Sequence, residues 1–395
     1  MIFRFLFFIN FFFSNFAIAN SDFVEGVTKT EIFFGQSAAL TGPAKSLGLN
    51  MQKGILSAFV EVNNNGGVNG RKLRLKSLDD HYEPETAIKN IYHLIDKEKV
   101  FSLIGGVGTP TSKAIVPIIK KSKKLYIGPL TGASFLRSSH VNTVVNIRSS
   151  YFQEIKEMVL RLKNDLKIKR IAIFYQNDSY GIDGLNALEK SVKEINKGLK
   201  IVSRGSYLRN TMAIKTALLN IKKAKPDAII IIGTYSPAAH FIKWSEKLKI
   251  KSKLFLSVSF VGVSELAKKL KNSKSLVFVT QVVPFPYNKK GRLLKNYHRA
   301  MKKIKSSNKI GFVSLEGYIV GRIVIEALKR AGKKLTNKSF KKVFKSKKSN
   351  FNIDGLRLSY TKKNNQGSNK VFLTRIFKGR VLPLKNLKAF YKKIK

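Results

Sequence analysis

The chain has 395 residues, no cysteine and a formal net charge of +52, with 75 Lys and Arg against 23 Asp and Glu. Without cysteine there are no disulfides, thiolate metal sites or cysteine nucleophile. The charge alone suggests nucleic acid or an anionic surface. Yet the Lys residues are spread over nearly every amphipathic segment, and zinc-ligand spacing, an RNP-like strand and a basic region running into heptads are all missing; most of the charge reads as solvated surface, with no specific nucleic-acid partner.

Residues Met1–Ala19 carry one early positive charge, Arg4, then an apolar run closed by Ala17-Ile18-Ala19. That is the pattern of a secretory signal peptide over 1–19, and the run is short for a membrane span. The competing reading is a short N-terminal anchor. No Cys follows the run, which excludes lipoprotein-type attachment. The chain beyond Ala19 is long enough for two domains of common size.

Next come short β-rich runs alternating with amphipathic stretches. Glu31–Gln36 reads as a strand, and a helix follows from about Ser46, stopped by Asn63-Asn64-Asn65-Gly66-Gly67. Lys72–Leu78 is the next strand, and Pro84 opens a helix in a first-turn position that suits proline. Strands at Phe101–Ile104 and Lys124–Ile127 complete this series. A second series starts near Lys169, with strands at Ile171–Tyr175 and Ile201–Ser206 and helices at Gly181–Asn196 and Ala213–Lys223. Ala228–Ile232 is an unbroken apolar run, as expected of a parallel strand covered on both faces. A strand at Val277–Thr280, a long helix over Val313–Ala331 and a hairpin formed by Leu356–Tyr360 with Val371–Phe377 end the chain. Two βα series predict two α/β lobes with open parallel sheets.

In such sheets ligands bind at the carboxyl ends of the strands. The loop Gly105-Gly106-Val107-Gly108-Thr109-Pro110-Thr111 leaves a strand and enters a helix, with Thr109 expected as N-cap. Its free N–H groups and hydroxyls suit a carboxylate or carbonyl oxygen; read structurally, it is a capped helix start. It lacks the Gly-Lys-Ser/Thr of a phosphate-binding loop. Gly128-Pro129-Leu130-Thr131-Gly132 offers similar chemistry after the next strand. In the second series Tyr180 and Tyr235 each follow a strand, where a Tyr can wall a ligand or simply pack a helix entrance. Enzyme signatures are missing. The five His show no metal-ligand spacing, and no Gly-x-Ser-x-Gly is present. Asp79, Asp80 and Glu83 precede a helix, where acidic residues cap and complement the dipole.

The ordered set Thr41-Gly42-Pro43, Asn64 to Gly70, Asp79-Asp80 with Pro84, Ile104 to Thr109, Asp178 to Gly181 and Glu316-Gly317-Tyr318 resembles the periplasmic solute-binding proteins of the branched-chain amino acid and amide/urea type. The resemblance spans the chain beyond the signal peptide. It implies a type I periplasmic-binding fold with two Rossmann-like lobes and a three-crossover hinge, lobe one at 28–148 plus 281–355 and lobe two at 149–280 plus 356–395. It implies a periplasmic, monomeric protein that hands a small polar solute to an inner-membrane ABC permease; the same fold also serves as a sensing module coupled to a receptor. No metal, cofactor or catalysis is implied.

Carried over by position, Thr109, beside Gly108, matches the hydroxyl that holds a ligand carboxylate. Gly132 stands where the family places a Thr, with Thr131 just before it. Tyr180 and Tyr235 match lobe-two tyrosines that close on the ligand. Leu47 stands in place of an aromatic, and the acidic partner of an α-ammonium is missing around Ser259-Phe260-Val261. Amides and carboxylic acids therefore stand beside amino acids as expected solutes, since a buried ammonium needs a partner.

Overall fold

The computed structural model describes residues 24–391, apart from 139, 196–197, 253, 305–309 and 347–348. The signal peptide expected over 1–19 lies outside the described residues.

The first lobe opens with β1 (Glu31–Ala38), α1 (Lys45–Asn63), β2 (Lys72–Asp79) and α2 (Pro84–Tyr92), then β3 (Ser102–Ile104), α3 (Thr109–Ser122), β4 (Tyr126–Ile127) and β5 (Val144–Val145). Its sheet runs β2-β1-β3-β4-β5, and every pair is parallel. The second lobe carries α4 (Tyr151–Leu166), β6 (Arg170–Gln176), α5 (Ser179–Ile195), β7 (Lys200–Tyr207), α6 (Lys215–Lys223) and β8 (Ala228–Ile232). It continues through α7 (Tyr235–Lys247), β9 (Leu254–Ser257), α8 (Val263–Lys269) and β10 (Leu276–Gln281). The chain then returns to the first lobe with α9 (Arg292–Lys302), α10 (Phe312–Ala331), α11 (Asn337–Lys345) and the hairpin β11 (Ser349–Ile353) with β12 (Leu356–Tyr360). Finally β13 (Phe372–Phe377) and β14 (Arg380–Leu384) join the second sheet.

That second sheet runs β14-β13-β10-β9-β8-β6-β7. Its β7-β6-β8-β9-β10 portion repeats the strand order of the first lobe, so each lobe has a switch point where the order reverses, beside β1/β3 and β6/β8. It is not wholly parallel: β13 runs antiparallel to β10, and β14 antiparallel to β13. All five residues of β8 are buried, because helices cover both faces of this central strand.

Two further expectations need correction. Leu356–Tyr360 does not pair with Val371–Phe377; each belongs to its own hairpin, β11–β12 and β13–β14. The turns Asp354-Gly355 and Lys378-Gly379 have positive φ at both central residues, which suits the right-handed twist of tight hairpins. A lobe boundary at 355/356 would therefore cut the β11–β12 turn. The last crossover instead follows β12, where Gln366 bridges to Asn146 on the first crossover.

Helix α1 packs on α10 through small residues. A Cβ on Gly54 would lie 2.1 Å from the Ser314 carbonyl oxygen, and one on Gly321 would lie 2.6 Å from the Ala58 Cβ. This brings the backbones of the two helices close together.

Candidate functional site

The expected site residues lie past the carboxyl ends of β1, β3, β4, β6, β8 and β9, in loops or in the first turn of the helix that follows. Gly108, with φ 113°, is the N-cap of α3. Thr109 is thus the first helical residue, one position later than expected, and its hydroxyl is free of capping. It meets the Thr131 hydroxyl at 2.7 Å, and both lie 3.3 Å from the Tyr151 hydroxyl. A side chain on Gly108 would strike the Tyr82 ring at 2.4 Å. Gly132 is similarly required, since a Cβ there would sit 2.5 Å from the Tyr151 ring and 2.6 Å from its backbone nitrogen. Tyr151 therefore occupies the space that a Thr at position 132 would need. Tyr151 begins α4, which Ser150 and Gln153 start as a reciprocal capping box.

From the second lobe, Tyr180 packs at 5.3 Å from the Tyr151 ring and 4.8 Å from the Phe260 ring, and Phe260 reaches Tyr82 of the first lobe at 6.2 Å. Thr109, Thr131, Tyr151, Tyr180 and Phe260 are fully buried. Burial pushes the Tyr151 hydroxyl up to about 12 and those of Tyr82 and Tyr180 well above the ordinary range, so all three remain protonated donors. Tyr235 and Leu47 meet elsewhere, on either side of Gly262, and the Tyr235 hydroxyl accepts from the Ser46 N–H at 3.4 Å.

A cavity of about 580 Å³ adjoins this cluster between the lobes. Leu47 and Ser259 line it, as do Val263 of α8, Val313 of α10, Phe285 and Phe312. Phe285, Tyr287 and Phe312 form its aromatic wall, with ring centroids 5.3–6.1 Å apart, all edge to face. Thr109, Thr131, Tyr180 and Tyr235 do not line it. The closed lobes fill the space at the hydroxyls with Tyr82, Tyr180 and Phe260, and leave room on the other flank of Leu47.

The strongest electrostatic feature is one that motif reading missed. Arg148, at the first crossover, is buried between Glu154 of α4, 3.3 Å away, and Glu316 of α10, 3.7 Å away, and donates to the Ser259 hydroxyl. Burial opposes its charge, but Glu316 and Glu154 outweigh that and hold its pKa above the ordinary value. Glu154 accepts from the Ser259 N–H at 2.8 Å, the Ser259 hydroxyl at 3.0 Å and the Thr280 hydroxyl at 2.8 Å. An acidic group thus stands against Ser259, although that position itself carries none. Burial raises the pKa of both Glu154 and Glu316.

Further contacts tie the lobes shut. Gln176 donates to the Tyr82 hydroxyl at 3.2 Å, and Ser134 N–H to the Asp183 carboxylate at 3.2 Å. Arg209 and Asn210 each donate to Glu83 at 2.6 Å. Asp79 and Asp80 do organise the turn after β2, accepting from the Leu40, His81 and Tyr82 N–H groups. Glu83 is the N-cap residue of α2, but its side chain makes no cap bond and bridges to the second lobe instead.

Paired lobes with reversed strand order, opposed loops and a buried crossover define a two-lobed binding protein. Residues 31–380 match the family described as "Periplasmic binding protein", and the chain belongs to it. A possible leucine/isoleucine/valine-binding protein from Rhodopirellula baltica is 33% identical, with a TM-score of 0.82 over 93% of this chain and 98% of that one. A branched-chain amino acid ABC transporter protein from Thermus thermophilus with bound valine shares the fold at a TM-score of 0.81 and 16% identity, covering 91% of this chain and 97% of that one. Leu/Ile/Val-binding protein homolog 7 of Brucella abortus is 25% identical over 54% of this chain, and the match spans 55% of the relative's length. The family is one of exported solute-binding proteins, and no helix among the described residues is long and apolar enough to cross a membrane.

Proposed function

We propose that the protein is the substrate-binding component of an ABC importer, trapping a small polar organic solute between its lobes and delivering it to an inner-membrane permease. The observation that carries this reading is the convergence of Thr109, Thr131, Tyr180 and Phe260 from opposite lobes onto one buried interface beside a cavity. Only the closed form joins both sets of groups, so a solute that touches both favours closure. Amino acids, amides and carboxylic acids all fall within the solute class.

The test is a thermal-shift screen of the protein from Asn20 to Lys395 against these classes. A solute at a hundredfold excess over its Kd adds about 2.7 kcal/mol to stability. A selective hit supports the reading. Stabilisation only by heparin or DNA, persisting in physiological salt, would return the function to the net charge of +52.

A further inference from the structure

The first lobe carries a charge cluster that solute capture does not use. From Ala327 to Ile353 the sequence holds ten Lys and Arg in 27 residues, against 75 in 395 for the whole chain, and no Asp or Glu. This stretch ends α10 and forms α11. Within α11, Lys338, Lys341, Lys342 and Lys345 recur at i, i+3, i+4 and i+7 and so share one face. Phe340 and Phe344 are buried on the opposite face, with their rings 5.1 Å from Phe101 and 5.3 Å from Phe351. Lys338 and Lys342 are exposed, and Lys341 and Lys345 are partly so.

Helix-dipole complementation accounts for Lys342 and Lys345 in the last turn. It does not account for Lys338 in the first turn, where a cation is unfavourable. Like charges at these spacings also destabilise a helix. The fold supplies little counter-charge. Among the described residues, Arg330 with Glu326 is the only ion pair of the stretch. Glu25, beside the start of β3, is taken by Lys124 at 2.9 Å and Lys99 at 3.5 Å. Burial and the neighbouring Lys341 charge hold Lys345 below its ordinary pKa.

The position of the lysine face is set by three contacts. Phe340 packs on Phe101, just before β3; Lys341 donates to Asn142, just before β5, at 3.2 Å; and Arg71, just before β2, donates to the Lys333 carbonyl at 3.1 Å. Helix α11 and the turn before it thus cover the amino ends of the first sheet, at the pole opposite the cleft.

We propose that this face docks on the anionic phospholipid headgroups of a bilayer, holding the protein at the membrane while its cleft stays free to load. Charge complementarity selects the partner. Four lysines on one face of an amphipathic helix, with the exposed Lys333 and Lys334 in the turn before it, form the kind of basic cluster that anionic headgroups attract. A shallow hollow of about 450 Å³ between the ends of α10 and α11 is lined by Arg330 and Lys342 and by no acid, which suits a headgroup phosphate. The family is one of exported proteins, so a membrane surface is a more accessible polyanion than nucleic acid. The inference is independent of which solute the cleft takes.

The experiment sediments residues 20–395 with vesicles of phosphatidylcholine, made with and without a quarter of phosphatidylglycerol. The expected result is partition onto the anionic vesicles alone at physiological salt, weakening as salt rises. Lys338→Gln, Lys341→Gln, Lys342→Gln and Lys345→Gln, combined, retain good helix formers and are expected to lower the partition coefficient at least tenfold with no loss of thermal stability. The matched control combines Lys193→Gln, Lys215→Gln, Lys222→Gln and Lys223→Gln, at exposed positions of the second lobe, and removes the same charge. It is expected to lower partition less than about threefold. Equal losses in the two variants would make the attraction one of net charge and overturn the proposal. So would a parent chain that stays off the anionic vesicles at physiological salt. Tighter binding to duplex DNA than to those vesicles, lost only in the α11 variant, would also overturn it and assign the face to nucleic acid.

Discussion

Glu83→Gln isolates the contribution of one interlobe latch. Glu83 belongs to the first lobe, and its carboxylate accepts from Arg209 and Asn210 of the second, each at 2.6 Å. The side chains are 38% and 21% exposed for Glu83 and Arg209, so solvent screens the pair and its loss costs about 1 kcal/mol, not the several expected of a buried ion pair. Gln keeps the shape and one acceptor, and both lobes retain their own cores. The closed-to-open ratio should fall about fivefold, and ligand affinity should fall by no more than the same factor. The chain has no Cys, so cysteines placed at the exposed Lys120 and Lys222 carry spin labels uniquely, one per lobe. Double electron–electron resonance on this pair should show a larger population at long distance in Glu83→Gln. An unchanged distance distribution, with or without ligand, would refute the view that this contact helps set lobe closure.

Other expectations follow from the same geometry. Burial raises the Asp80 carboxyl to about 6, so the folded chain binds more protons than the unfolded one between pH 4 and 6. Stability from this group is therefore fully present at lower pH and is lost as pH rises through that window. Asp80→Asn, which can still accept from the Tyr82 N–H, should flatten this slope and add about 2 kcal/mol at pH 7, as read by urea unfolding across pH. Gly132→Ala should destabilise by about 2 kcal/mol in the same assay, because its Cβ would collide with Tyr151. Gly54→Ala should cost at least about 2 kcal/mol by forcing α1 away from the Ser314 carbonyl. Thr109→Ala should destabilise by about 1 kcal/mol in the same assay, since it removes the buried hydrogen bond to the Thr131 hydroxyl.

The sequence was most legible where pattern and topology coincide. The apolar run Ala228–Ile232, bounded by turn residues, read as a covered strand and is one, and the small, hydroxyl-bearing loops marked strand ends directly. The third crossover was misread because two adjacent hairpins have similar β-rich strands. Asp354-Gly355 was the available signal that Leu356–Tyr360 pairs backward with Ser349–Ile353. Thr109 was found but misplaced by one residue, as the N-cap falls on Gly108. The Arg148 cluster could not be read from spacing: Ser259 and Glu316 reach Arg148 only after both lobes fold and close. Tyr151 was hidden for a similar reason, since nothing local shows that a helix-starting Tyr will fill the space beside Gly132.

Small-angle X-ray scattering during titration with the best solute from the screen tests lobe closure most directly. The account predicts that the radius of gyration falls on binding and saturates at one solute per chain. Saturable binding with no change in the radius of gyration, in a chain whose lobes are open before solute is added, would contradict capture by closure.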